Sequence, residues 1–309
     1  MKRTLWALLG LGFAALVYYL FLRPFEYDVK FRAKTLPGDL IETIRIWNRS
    51  LPEAEIIRVD SLDRLDQHIT RGDRKYVYSW RFTAQGDSAT KVTIQISEPA
   101  RALANKILIP FTKQPIETDA YDVSMEFYKI LKEHLKITNV KVVGEVRLKR
   151  KFCVCSTLET EQIEKAQGMM RDFPLLTSFV STYNLKPDGF PIVRIKKWDH
   201  NQGKLAFDFC FPIVRSDHLP KVADLVYKEV GGEFALKAEY HGNYITSDRA
   251  WYELLHYARK NGYKVSGLPV EHFHDNPNLG IREQEWQADV YLPVEIKSDG
   301  DGRLNRAQN

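Results

Sequence analysis

The apolar positions of this chain change period several times, and each change marks an element. Thr4 to Leu22 is an uncharged, apolar run of 19 residues behind Lys2 and Arg3. As a helix it rises about 28 Å, close to the hydrocarbon thickness of a bilayer. Residues 25 to 35 alternate as a first strand through Phe25, Tyr27, Val29 and Phe31. Leu36-Pro37-Gly38-Asp39 then turns into a helix with Leu40, Ile41, Ile44 and Trp47 on one side, and Asp39 is read as its N-cap. Strands follow at Ala54 to Ser61, Leu65 to Thr70, Lys75 to Ala84 and Thr90 to Glu98, with turns at Gly72-Asp73 and Gly86-Asp87. A helix of about Asp119 to Leu135 closes this section, its inner stripe formed by Val123, Phe127, Ile130, Leu131 and Leu135. Asn139 to Arg150 reads as a connector ending in Arg147, Lys149, Arg150 and Lys151.

From Phe152 onward one unit occurs twice. Gly189-Phe190-Pro191-Ile192 is followed, 21 residues after its proline, by the proline of Phe207-Asp208-Phe209-Cys210-Phe211-Pro212-Ile213. Gly267-Leu268-Pro269-Val270 is followed, after 24, by that of Ala288-Asp289-Val290-Tyr291-Leu292-Pro293-Val294. Each copy predicts strand, helix, strand, strand. The first takes Lys151 to Thr157, Thr160 to Tyr183, Phe190 to Asp199 and Lys204 to Ile213. The second takes Phe234 to His241, Thr246 to Asn261, Val265 to His274 and Trp286 to Glu295, with Gly262 as a helix stop and Asp275-Asn276-Pro277 as a turn. Duplication of this kind predicts two lobes and a cleft that holds something.

The chain is thus α+β: an anchor over 1–23, a sheet-and-helix domain over 24–138, a connector over 139–150, a duplicated domain over 151–297 and a disordered tail over 298–309. Trp6 and Tyr18-Tyr19 suit membrane interfaces. The run passes into Tyr-Tyr-Leu-Phe-Leu-Arg-Pro rather than a small-x-small cleavage site, so it is read as an uncleaved single-pass anchor through residues 4–22. The short basic tail favours an inside N-terminus and export of the remainder. Arg23, Lys30, Arg32 and Lys34 beyond the span keep the cytoplasm-facing alternative open. The formal charge of +5, from 45 basic and 40 acidic residues, is mild and spread out, which argues against a nucleic-acid partner. No helix-turn-helix precedes the repeats. Three cysteines make no disulfide framework. Cys153 and Cys155 share one strand face, are poorly placed to bridge, and read as buried free thiols.

In the first soluble section, the element order with Tyr78-x-Trp80-x-Phe82 and Thr90-Lys91-Val92-Thr93 as strand pairs resembles the START-like (polyketide cyclase/SRPBCC) superfamily. That resemblance implies a helix-grip fold with a hydrophobic cavity and transfers no catalytic residue. The second half is more specific. Tyr240-His241-Gly242-Asn243-Tyr244, Asn261-Gly262-Tyr263, Gly267-Leu268-Pro269, Glu271-His272-Phe273-His274-Asp275-Asn276-Pro277 and Asp289-Val290-Tyr291-Leu292-Pro293-Val294 come in the order of the GyrI-like effector-binding domain, found in AraC- and MerR-type activators. The resemblance implies a duplicated βαββ fold whose cleft binds bulky, often cationic, organic molecules beside an acid. Asp289 stands where that family usually carries glutamate, a shorter reach.

Strand period gives a separate argument. With Pro212 aligned to Pro293, Phe207, Phe209, Phe211, Val290 and Leu292 share the helix-packed face, and Asp208, Cys210, Asp289 and Tyr291 share the other. The two acids should then face one concavity. A carboxylate among aromatic rings suits a hydrophobic or cationic small molecule. The alternative is that Asp208 and Asp289 are solvated or paired with Arg194, Lys196 or Lys197. Trp198, Tyr240, Tyr244, Phe273 and Trp286 are candidate cleft walls. Alternation places Trp286 on the helix side, and Tyr244 lies in a loop able to swing. His272, His274, Asp275 and His241 lack the spacing of a metal set, so neither metal nor cofactor is expected. The reading is a membrane-anchored sensor of a small molecule. A hydrolase using Asp289 or Asp208 as base is the alternative, and a scaffold without ligand a further one.

Overall fold

The computed structural model describes residues 2–276, 280 and 282–296. Pro277 and the tail expected over 298–309 lie outside the described residues. The molecule is mixed α+β and divides into two compact units. The first runs to Lys136 and includes His200–Gln202; the second takes the rest from Ile137.

The first unit begins with α1 (Lys2–Val17), continued by one π-helical stretch, Tyr18–Leu22. Among the described residues this is the one helix long and apolar enough to cross a membrane: Arg3–Leu22 has mean hydropathy 2.1 and none of it is buried. Then come β1 (Tyr27–Ala33), α2 (Pro37–Ser50), β2 (Ala54–Asp60), β3 (Arg64–Arg71), β4 (Arg74–Ala84), β5 (Thr90–Ser97), α3 (Ala102–Leu108) and α4 (Pro115–Ile137). The strands form an antiparallel sheet in the order β1-β5-β4-β3-β2. Its inner face presents every second residue, Tyr78, Trp80 and Phe82 on β4 and Val92, Ile94 and Ile96 on β5. Ile116, Ala120, Val123, Phe127 and Leu131 of α4 are buried at helical spacing against it. Between sheet and long helix, where a cavity is expected, the Phe127 ring lies 5.0 Å from Trp80 and 5.4 Å from Trp47. Asp39 is not the N-cap of α2. That place is taken by Leu36 ahead of Pro37, whose missing N–H costs nothing at a helix start. Asp39 instead accepts from Thr35 Oγ1 at 2.5 Å.

In the second unit the supposed connector is a strand, β6 (Asn139–Arg147), paired along its length with β11. The elements continue as β7 (Lys151–Glu161), α5 (Lys165–Thr182), β8 (Ile192–Asp199), β9 (Lys204–Pro212), β10 (Val226–Val230), β11 (Phe234–His241), α6 (Arg249–Lys260), β12 (Val270–Phe273) and β13 (Gln287–Pro293). The eight-stranded order β10-β7-β9-β8-β12-β13-β11-β6 reads alike from both edges, since β7-α5-β8-β9 and β11-α6-β12-β13 occupy mirrored places. Strand β10 was not foreseen, and it borders β7 as β6 borders β11.

One face of this sheet carries the main core. Phe207, Phe209, Val290 and Leu292 pack there with Leu176 and Phe179 of α5 and Trp251 and Leu254 of α6. The other face has a smaller apolar cluster of Leu148, Cys153, Cys155, Ile192, Cys210, Val230 and Val270, with Tyr291 against it. The reading of Cys153 and Cys155 as free thiols is corrected here for Cys155. Cys155 and Cys210 stand opposite each other on β7 and β9, with Cα atoms 4.0 Å apart, and are joined as a disulfide. Only Cys153 is free, and it is buried. Which strands are neighbours decides this pairing, and spacing along the chain does not contain that information.

Candidate functional site

Asp289 lies on β13 on the face opposite the helices, as the alternation with Ala288 and Val290 requires. Its cross-strand partner on β12 is His272, and Tyr291 beside it is opposite Val270. Lys237 on β11 is opposite Tyr291 and reaches Asp289 Oδ2 at 2.9 Å. His274 Nε2 reaches the same oxygen at 3.2 Å, and the Tyr291 hydroxyl donates to it at 3.3 Å. Oδ2 is therefore crowded with partners. Oδ1 is buried and has none, and the same holds for Nε2 of His272 directly across the ladder.

These groups floor a hollow of about 440 Å³. Its apolar walls come from Leu148, Phe190, Ile192 and Pro212. Phe190 stacks on His274 with ring centres 4.5 Å apart, and His272 lies 5.0 Å from the Tyr291 ring. Burial opposes the charge on Asp289, but hydrogen bonds from His274 and Lys237 outweigh it and lower the carboxyl to about 2. Burial pulls His272 down to about 4, more than the nearby Asp289 charge restores, so its ring is neutral at ordinary pH. Burial, then the Asp289 charge, pushes the Tyr291 phenol up, which keeps it a proton donor.

The rim is basic. Arg147, Lys149 and Lys151 line the mouth, Lys151 paired at 2.9 Å with Asp188. The segment between β6 and β7 that carries them is fixed by its backbone. Leu148 N donates to Glu233 O at 2.9 Å, and Gly232 N donates to Leu148 O at 2.7 Å. Gly231 adopts φ +93°, and a Cβ there would stand 2.4 Å from Lys149 O, so only glycine lets the two chains approach this closely.

Asp208 occupies the corresponding place on β9, on the same sheet face, but in a second hollow of about 640 Å³ that shares no lining residue with the first. The expectation that both acids face one concavity is thereby corrected: β8 and β12 lie between β9 and β13. Asp208 is also fully engaged. It accepts from Lys228 Nζ at 2.7 Å and Thr157 Oγ1 at 2.7 Å, with Lys196 Nζ at 3.8 Å. Of the two acids, Asp289 alone keeps an unsatisfied oxygen.

The five aromatic candidates do not join Asp289. Tyr240, Tyr244, Phe273 and Trp286 belong to the core on the helix side of the sheet, and Trp198 packs against it. Trp198 arrives there because the register slips between Ile195 and Lys197, and one extra residue moves a side chain to the other face. It then lies 4.9 Å from Trp251 and donates to Gln162 Oε1 at 2.7 Å. Tyr244 is no swinging loop residue. Its hydroxyl donates to Gln287 O at 2.7 Å and accepts from Asp275 N at 3.0 Å. Tyr240 donates to Asn243 O at 2.6 Å.

Amid these rings is a polar group the sequence reading did not single out. Glu271 and Lys165, both wholly buried, form an ion pair at 2.5 Å. Ser247 Oγ and Trp251 Nε1 donate to Glu271 Oε1 at 3.0 and 2.9 Å, while Lys165 Nζ also donates to Ser247 Oγ at 2.8 Å and lies 4.7 Å from the Trp251 ring centre. The signal was available in the strand period. Glu271 is in phase with Phe273, and a charge in the apolar phase needs a buried partner.

No family model and no curated protein matches the chain. Among solved structures it is similar to the C-terminal domain of EcmrR, at 15% identity and TM-score 0.38 over 51% of this chain and 96% of that one. It is also similar to SAV2435 bound to tetraphenylphosphonium, at 13% identity and TM-score 0.34 over 51% and 93%. A hydrolase from Listeria innocua matches at 9% identity and TM-score 0.33 over 53% and 98%.

Proposed function

We infer that this protein is a membrane-anchored receptor for a small amphipathic molecule, held in the Asp289 hollow of a GyrI-like unit. The observation that carries this reading is the pair of buried, unpartnered polar atoms, Asp289 Oδ1 and His272 Nε2, on cross-strand neighbours that line that hollow. Buried polar groups are costly unless bonded, and a guest that supplies a hydroxyl or N–H there removes the cost. The apolar walls supply the rest of the binding energy. The palindromic strand order and the motifs from Tyr240 to Val294 support the duplicated GyrI-like assignment. In the first unit, the order strand, helix, four strands, short helix, long helix supports a START-like fold, here serving as a spacer because aromatic rings occupy its interior. The helix Arg3–Leu22 would be the anchor. The Cys155–Cys210 disulfide supports the exported orientation, since such bonds persist in oxidising compartments.

The test is binding of 4-propylphenol, one hydroxyl on a short apolar body, to the full chain in phosphatidylcholine nanodiscs, with empty discs as background. Saturable binding that disappears in Asp289→Ala and in Ile192→Trp, which fills the hollow, is the expected result. Binding that neither substitution alters, or none beyond the lipid background, refutes the site.

A further inference from the structure

We propose that the guest of the Asp289 hollow is an amphipathic organic anion, with a carboxylate or phosphate group at the mouth and a hydroxyl at the floor. This rests on the reading of the hollow as a binding site and adds the sign of its ligand. Four basic side chains line the hollow, Arg147, Lys149, Lys151 and Lys237, against one acid, Asp289. Counting Asp188, which pairs with Lys151 from outside the lining, the ratio is still four to two. The charge on Asp289 is already met by Lys237 at 2.9 Å, so the carboxylate has no need of a cationic guest. A lipophilic cation would have to displace that ammonium and remain among three further positive charges. What Asp289 lacks is one proton donor on Oδ1, which a neutral hydroxyl provides.

At the mouth the demand is opposite. Arg147 and Lys149 are exposed, and neither has an ion-pair partner among the described residues. Both flank Leu148, which is buried and fixed by two backbone hydrogen bonds, so the backbone that carries them is anchored beside the hollow they line. A pair of unpartnered cations on an anchored backbone beside an apolar wall is a receptor for a carboxylate or phosphate whose body lies on Phe190 and Ile192. The same geometry explains the polarity of the floor: a guest entering with its anion outward leaves only an apolar body and a hydroxyl to be buried. No desolvated charge has to cross the hollow.

The experiment compares three molecules with one body: 3-(4-hydroxyphenyl)propionate, 3-(4-hydroxyphenyl)propylammonium and neutral 4-propylphenol. Each is titrated calorimetrically into the full chain in zwitterionic nanodiscs. The expected result is that the propionate binds at least about ten-fold more tightly than the ammonium at low ionic strength, a margin that shrinks as salt screens the exposed rim. The double variant Arg147→Glu with Lys149→Glu should reverse the order of the propionate and the ammonium, and a urea unfolding midpoint equal to that of the unaltered chain shows that the variant is folded. An ammonium that binds as well as the propionate, with 4-propylphenol still bound, overturns the anion assignment and leaves the hollow as a site. If none of the three binds, the site reading falls and this inference with it.

Discussion

Glu271→Gln is the most direct probe of the packing behind the sheet. Gln has the shape of Glu, and its carbonyl oxygen can still accept from Trp251 Nε1 and Ser247 Oγ. The substitution therefore removes the charge and turns the acceptor of the Lys165 hydrogen bond, Oε2, into an N–H donor. It leaves the Lys165 ammonium in a site with no solvent exposure and no counter-charge. Removing one partner of a buried ion pair costs about 3–5 kcal/mol. For a unit of this size each kcal/mol lowers the unfolding midpoint by about 2–4 °C, so a fall of roughly 6–20 °C is expected. Lys165→Met alone strands the carboxylate, but two neutral donors remain on it, so its cost should lie near the lower bound. Combining the two removes both charges, and the double variant should recover most of the loss. The assay is urea unfolding of the full chain and the three variants, followed by tryptophan fluorescence and closed as a double-mutant cycle. If the double variant loses the sum of the singles to within about 0.5 kcal/mol, the two charges are uncoupled and the account of this core is wrong.

Other consequences are open to measurement. His272 titrates near 6.5 in an unfolded chain and near 4 in the fold. Its neutral ring thus favours folding fully above pH 6.5, and that contribution is lost as pH falls from 6.5 towards 4; unfolding midpoints for His272→Asn should be flatter across this interval, and equal slopes would contradict the burial. Replacing Cys155 and Cys210 with alanine opens a closure spanning 55 residues and should cost about 2–4 kcal/mol by denaturant titration. The remaining thiol, Cys153, is pushed up to about 12 by burial, so iodoacetamide at neutral pH should leave it unlabelled in the native protein. Gly231→Ala must move Lys149 O away from the new Cβ. A loss of about 1–3 kcal/mol is expected, together with weaker binding of the propionate probe as the rim shifts.

Much of this architecture could be read from periodicity, because each sheet is covered on one face by helices and alternation then reports the face. The assignment of Phe207, Phe209, Val290 and Leu292 to the helix side, and of Asp208, Asp289 and Tyr291 to the other, follows from that rule alone. What periodicity omits is which strands are neighbours. The separation of the two aspartates into two hollows, the pairing of Cys155 with Cys210 and the incorporation of β6 all depend on strand order. Local departures were equally hidden. The slip after Ile195 carries Trp198 to the opposite face, and a hydroxyl bonded at both ends holds Tyr244 in place. In the sequence, the basic run from Arg147 to Lys151 reads only as the end of a connector. Its part in the mouth of the hollow emerges only when Leu148 is seen tied to Glu233 and Gly232.

The covalent tie between β7 and β9 makes the palindromic sheet unequal in stiffness. The half containing Asp208 cannot part those two strands without breaking a bond, and its acid is already saturated with partners. Around Asp289 the strands β12, β13 and β11 are joined by hydrogen bonds alone. Breathing of the sheet should concentrate there, so amide exchange ought to run faster along β12 and β13 than along β7 and β9, and to slow when the hollow is occupied.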